Sequence, residues 1–201
     1  MHLNQIKKIK KIKFLILFFV VITTFFIYFF TIQKKQKLNF KKIQYEEIIK
    51  KINAKKNQNL NKIENYILEK KNIYGTLISL FLAKKYISDN KLDKAVIQLN
   101  NGLKYVKEEN IKNMIKLRIA KIKIQEKKHE EAIKILKEIK DNNWKNIVEN
   151  MKGDIFMNEK KIKKAILAWE TSKIFEKNNT FKEIINIKIN EAKNKINANL
   201  K

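Results

Sequence analysis

The chain has 201 residues with no cysteine, no proline and three glycines, and it carries a formal charge of +26 at neutral pH. That length accommodates one domain of ordinary size with an anchor or tail; the lack of cysteine excludes disulfides, thiolate metal sites and cysteine nucleophiles. The charge would ordinarily point to nucleic acid, but Arg118 is the single arginine among 46 basic residues, and Lys, Ile and Asn crowd every segment as AT-biased codon usage would have it. Nucleic acid is therefore not expected as a partner. Membrane lipid is, because basic residues close to a bilayer attract acidic headgroups by about 1 kcal/mol each.

In chain order, residues 1–13 form a basic tail containing Lys7, Lys8, Lys10, Lys11 and Lys13. From Phe14 to Ile32 the sequence FLILFFVVITTFFIYFFTI has no charge, and as a helix it would extend roughly 28 Å, about the hydrocarbon thickness of a bilayer. Fifteen of its nineteen residues are Phe, Leu, Ile or Val, which sums to roughly −5 to −9 kcal/mol for insertion. The run is longer than a signal-peptide core and ends without a small-x-small cleavage site, so an uncleaved transmembrane helix is expected. Lys34, Lys35, Lys37, Lys41 and Lys42 follow it, which makes five lysines on each side. The positive-inside rule thus leaves the orientation open.

Residues 33–72 read as a helical neck and a degenerate leading repeat: a helix from Phe40 to Ile52, a polar stretch from Ala54 to Asn61, and a helix that Asn61 would cap. Residues 73–175 carry the principal signal. Three times a small residue is followed twelve positions later by alanine: Ala83 and Ala95, Ala120 and Ala132, Gly153 and Ala165. Such pairs fit antiparallel helices that approach closely at a methyl-sized contact. The units are 37 and 33 residues apart, bracketing the tetratricopeptide period of about 34. Leu92, Ala95, Val96 and Leu99 reappear as Ile162, Ala165, Ile166 and Trp169, with His129, Ala132, Ile133 and Leu136 between them. Turns are expected at 88–91, 125–128 and 158–161. Residues 176–201 would add a capping helix, Phe181 to Ile196. The expected fold is all-α, an N-terminal transmembrane helix followed by a tetratricopeptide-like α-solenoid of stacked helical hairpins.

No catalytic residue is expected, since there is no glycine-rich phosphate loop, GxSxG elbow, HExxH or histidine beside a nucleophile. No cofactor or metal is expected either: His129 has only Glu130 and Glu131 close by in sequence, and it reads as a half-buried turn residue. The inner surface of the stack offers a candidate peptide groove. Leu80, Lys84 and Ile87 correspond to Leu117, Lys121 and Ile124 along an i, i+4, i+7 path. An apolar groove with basic edges would suit extended polypeptide; the same leucines and isoleucines would equally serve to pack one repeat on the next. Trp144 and Trp169 read as repeat-core residues.

The stretches LISLFLAKKYISDNKLDKAVIQLNNGL (Leu77 to Leu103), LRIAKIKIQEKKHEEAIKIL (Leu117 to Leu136), IKDNNWKNIVENMKGDIFMNEKKIKKAILAWE (Ile139 to Glu170) and IKIN (Ile187 to Asn190) resemble the YfgM family, the ancillary subunit of the SecYEG translocon of Gram-negative bacteria. The order of anchor, neck, Trp144, the Gly153-Asp154 pair and the Ala168-Trp169-Glu170 triplet is the specific part of the likeness. The resemblance implies a single-pass inner-membrane protein with a cytoplasmic N-terminus and periplasmic repeats. It also implies as partners the translocon, a membrane-anchored periplasmic chaperone of the parvulin-like type, and exported polypeptides that are passed onward. The family's polar and alanine positions have become Lys, Ile and Asn here, which bears on surface contacts more than on fold. Two alternatives stand beside it: an envelope scaffold that binds folded partners, and a cytoplasm-facing basic domain that binds RNA or acidic lipid.

Overall fold

The computed structural model describes residues 2–53 and 60–198, with side chains at 19–35, 44–52 and 60–198. All regular structure among them is helical. The chain divides into two compact units, Met1–Lys51 and Ile52–Lys201.

The first unit is essentially one helix, α1 (His2–Asn53). Apolar run and neck merge into a single rod because no glycine or proline stands between them. Along residues 19–35 the side chains face outward, Phe19, Phe25 and Tyr28 among them. The hydroxyls of Thr23, Thr24 and Thr31 donate to the carbonyls of Val20, Val21 and Tyr28 at 2.9, 2.9 and 2.7 Å, so each polar hydrogen is absorbed by the helix that carries it. Among the described residues no helix is long and apolar enough to cross a membrane. The first five residues of the apolar run, Phe14 to Phe18, and the lysines of the basic tail lie outside the residues whose side chains are described.

The second unit holds α2 (Leu60–Glu69), α3 (Ile73–Ser88), α4 (Leu92–Tyr105), α5 (Glu109–Gln125), α6 (His129–Lys137), a 3₁₀ turn at Asn142–Trp144, α7 (Lys145–Asn158), α8 (Ile162–Phe175) and α9 (Asn179–Ala198). Asn61 lies inside α2 and does not cap it; the side-chain cap belongs to Asn72, whose Oδ1 accepts from the amides of Tyr74 and Gly75 at the start of α3. Three hairpins, α3/α4, α5/α6 and α7/α8, supply most of the contacts; α2 packs on α3 and α4, and α9 packs on α8.

Each hairpin turns in the same way. Among the described residues, Asn90, Lys127 and Lys160 are those with positive φ, at 56°, 61° and 59°. The following amide reaches back five residues, Lys91 to the Tyr86 carbonyl, Lys128 to Lys123 and Lys161 to Phe156, at 2.8 Å in all three. The left-handed residue's own amide bonds the carbonyl three back at 2.9–3.0 Å. This is the Schellman closure, which satisfies the last carbonyls of one helix and aims the chain into the next.

The uneven spacing of 37 and 33 also has a structural cause. The returning helix α6 stops after 9 residues where α4 and α8 each have 14. Beyond the α6 cap at Glu138, Asp141 caps the 3₁₀ turn by accepting from the Asn143 amide at 2.9 Å, and that turn takes the place of the missing helical turn. A hollow of about 220 Å³ bounded by Lys137, Ile139, Lys140 and Val148 marks the gap.

Candidate functional site

Ala83, Ala95, Ala120, Ala132 and Ala165 are all exposed by 1% or less, and Gly153 is buried with them. Leu117, Ala120, Ala132, Leu136 and Ile155 share one apolar cluster, with Trp144 packed against it. Ala165, Trp169, Ile185, Ile189 and Ala192 form another between α8 and α9. Of the isoleucines that marked the capping helix, Ile185 and Ile189 enter this cluster while Ile184 and Ile187 stay exposed.

The Gly153-Asp154 pair and the Ala168-Trp169-Glu170 triplet meet in one arrangement. A Cβ at Gly153 would come within 2.3 Å of Trp169 Cδ1 and Nε1, so only glycine admits the indole there. Trp169 Nε1 donates to Asp154 Oδ1 at 3.1 Å. Lys188, on α9, donates to the same oxygen at 2.7 Å and to Asn150 Oδ1 at 3.0 Å. The ammonium also stands 5.7 Å from the centre of the Trp169 ring. Three helices are thereby tied at one point, and the second tryptophan, Trp144, donates to Asn110 at 3.3 Å across the preceding joint.

The candidate groove residues divide. Leu80 and Leu117 are buried, 7% and 9% exposed. Ile124 is half-buried against the second-hairpin core, whereas Lys84, Lys121 and Ile87 stand at the surface. At the corresponding places of the third hairpin, Asn150 and Asp154 receive Lys188, and Met157 packs on the last cluster.

An apolar cleft does open elsewhere, where α7 and α9 flank the end of α8. Ser172 and Ile185 form its floor, Ile147, Phe181 and Ile184 its walls, and Asn146, Asn150, Glu176 and Asn178 its polar edge, around a volume of about 390 Å³. The three wall residues are 40%, 56% and 45% exposed. Ser172 Oγ donates to the Asn146 carbonyl at 2.7 Å, and Asn146 Nδ2 to Glu176 at 2.7 Å. The Glu176 carboxylate accepts from the amides of Lys177 and Asn178 at 2.8 Å as well. The Asn178 amide, the Asn146 side chain and the Lys177 amide hold its pKa below the ordinary carboxylate value. The groove reading did not anticipate this cleft, because its walls come from helices more than thirty residues apart. The available signal was the presence of Ile147, Phe181 and Ile184 off the core stripe.

His129 Nδ1 lies 3.5 Å from Glu159 and joins the second turn to the third. The Lys161 ammonium, 2.7 Å from the Glu159 carboxylate, holds that carboxyl low, with His129 a smaller influence. Among the described residues no group of three or more His, Cys, Asp or Glu could hold a metal ion.

Comparison with known proteins bears on the whole chain. Residues 9–194 match the family described as a tetratricopeptide repeat-like domain. A protein of Buchnera aphidicola subsp. Schizaphis graminum (strain Sg), named ancillary SecYEG translocon subunit, is 65% identical over 193 residues, covering 96% of this chain and 100% of the relative. Its counterpart of the same name in Buchnera aphidicola subsp. Acyrthosiphon pisum (strain APS) is 50% identical over 184 residues, with coverages of 92% and 95%. That of Escherichia coli (strain K12) is 35% identical over 94 residues, 47% of this chain and 46% of the relative. With near-complete coverage at this identity, on an all-helical stack of hairpins, the chain belongs to the family of ancillary SecYEG translocon subunits with a tetratricopeptide repeat-like domain.

Proposed function

We propose that the chain is a membrane-anchored accessory of the SecYEG translocon that receives exported polypeptides and hands them to a periplasmic, membrane-anchored chaperone of the parvulin-like type. The observation that supports the translocon part of this reading is 65% identity along the full length of a protein named ancillary SecYEG translocon subunit; the handover to a chaperone is our proposal from the family likeness. The family's role is non-enzymatic: stacked hairpins present surfaces to other chains.

In this reading residues 1–13 stay in the cytoplasm, residues 14–32 span the inner membrane, residues 33–72 make the neck and leading repeat, and the three repeats of residues 73–175 with the cap of 176–201 stand in the periplasm. The uncharged run and the hydroxyls turned back onto α1 support the span. The five-against-five lysine balance is neutral on direction, so the orientation rests on the family likeness. Tethering raises the local concentration of the repeats at the exit site, so weak intrinsic affinity suffices. Lys84, Ile87, Lys121 and Ile124 offer one partner-facing surface, with Leu80 and Leu117 supporting it from inside.

Two measurements test the proposal together. The full chain, affinity-tagged in a Gram-negative host, should co-purify with SecYEG in mild detergent. In spheroplasts, protease added outside should degrade the repeat domain. A domain protected from outside protease, or a chain that fails to bring down the translocon, overturns it.

A further inference from the structure

We infer that the cleft between α7 and α9 is the seat for an exported polypeptide in extended form, gripping an apolar side chain whose neighbours in the bound segment are acidic. The inference rests on the polypeptide-receiving role proposed above and assigns it a place. The volume of about 390 Å³ lies at the low end of ligand-pocket sizes and takes about two apolar side chains. Ile147, Phe181 and Ile184 leave roughly half their surface in water around one hollow, the geometry of a pocket for an apolar anchor.

The edge chemistry selects the occupant. Asn146 Nδ2 is held by Glu176, and the Oδ1 atoms of Asn150 and Asn178 are held by Lys188 and by the Phe181 amide. Those partners fix the amide orientations, which leaves one acceptor, Asn146 Oδ1, and two donors, Asn150 Nδ2 and Asn178 Nδ2, for an incoming group. A peptide backbone offers the matching carbonyls and N–H groups at regular intervals; an acyl chain offers neither. The charge points the same way. The single carboxylate on the cleft, Glu176, is already engaged by three donors. Of the charged residues that adjoin the lining in sequence, Glu149 and Glu183 accept from Lys152 and Asn186, while Lys145, Lys173, Lys177 and Lys182 outnumber them, and the chain as a whole carries +26. Acidic flanks on the bound segment complement that rim.

The test uses the full chain in mild detergent and two fluorescein-labelled hexapeptides, one with a Leu-Phe pair between acidic residues and one with the same pair between lysines, read by anisotropy. The acidic peptide should bind at least about tenfold more tightly than the basic one, and Ile147→Asp and Phe181→Ser should each weaken it about tenfold. Lys177→Glu with Lys182→Glu should cut the preference for acidic flanks without unfolding the helices. Leu167→Asp, on an exposed position of α8 away from the cleft, should change nothing. Equal binding of the acidic peptide by Ile147→Asp, Phe181→Ser and the unaltered chain overturns the cleft while leaving the polypeptide-receiving role standing; absence of peptide binding together with absence of SecYEG co-purification removes both. With p-benzoylphenylalanine at position 181 and the chain reconstituted in phosphatidylethanolamine/phosphatidylglycerol vesicles, crosslinks to the acidic peptide support the seat. Crosslinks to lipid alone assign the patch to the bilayer and overturn it.

Discussion

Gly153 of α7 lies against the face of the Trp169 indole of α8, so close that a methyl at Gly153 would sit 2.3 Å from Cδ1 and Nε1 and 2.8 Å from Cε2. At the same place in the other hairpins stand the buried Ala83 and Ala120, and the register position of Trp169 is held there by Leu99 and Leu136. The third hairpin has exchanged a methyl on one helix for an indole on the other.

That exchange reverses the usual effect of a helical glycine. Glycine to alanine inside a helix ordinarily stabilises by about 0.5–1 kcal/mol. Here Gly153→Ala must displace a buried ring tied to Asp154, and overpacking of this kind costs about 1–3 kcal/mol. Urea unfolding followed by tryptophan fluorescence should show a lower midpoint; Trp169 reports on this hairpin and Trp144 on its joint with the second. A raised midpoint would show that the indole can move aside.

The turns offer the opposite experiment. Lys127 and Lys160 hold positive φ without being glycine, a conformation that costs an ordinary residue roughly 1–2 kcal/mol. Lys127→Gly and Lys160→Gly should each stabilise the fold by about 0.5–1 kcal/mol after the added freedom of the unfolded chain is counted. Asn90→Gly should gain less, because asparagine tolerates this region. Thermal melts of the three variants would rank them.

Acid stability follows from Glu131, Glu159 and Glu176, all held below the ordinary carboxylate pKa: Glu131 by Lys123, Glu159 by Lys161, Glu176 by the Asn178 amide. A depressed folded-state pKa contributes stability that is present in full above the unfolded value of about 4.5 and is lost as pH falls through the folded value. The unfolding midpoint should therefore be level on the neutral side of that value and decline below it. Glu176→Gln should flatten the decline, and an unchanged acid limb in that variant would show that the three amide contacts contribute nothing.

Tyr86 works at the other end of the pH scale. Burial first, then its hydrogen bond to Glu64 of α2, pushes the phenol above the normal tyrosine range. The neutral phenol is the favoured folded form, so this contribution is complete below the unfolded value of 10.0 and fades as pH rises through the folded one. Tyr86→Phe removes the donor to Glu64 and should loosen α2 from α3 by about 1 kcal/mol. Hydrogen exchange of the α2 amides would register it while the amides of α7 and α8 keep their protection.

The hairpins were legible in the sequence because close helix approach tolerates few side chains, and alanines twelve apart leave little else to conclude. The three turns, 89–91, 126–128 and 159–161, lie within one residue of expectation, and the ends of the capping helix Asn179–Ala198 within two. The 3₁₀ turn Asn142–Trp144, capped by Asp141, replaces the last turns of α6, which the spacing of 33 registered without revealing why. Neck and apolar run became one helix because the sequence holds nothing to part them. The groove reading placed Leu80 and Leu117 by standard stacking alone, whereas the cluster that takes in Leu117 also draws Leu136, Val148 and Ile155 from the two following helices. The α7/α9 cleft was illegible for the same reason, since Ile147 and Phe181 become neighbours only after α8 has turned back.

The early stop of α6 has one more consequence. Helices across the joint from second to third hairpin touch more sparsely than those across the first, and His129 with Glu159 and Asn110 with Trp144 are polar stitches over that seam. A stack of this kind yields at its least-fastened boundary. Pulled from its two ends, the second unit should part there first, releasing α7, α8 and α9 as a block that Lys188 and Trp169 still hold shut.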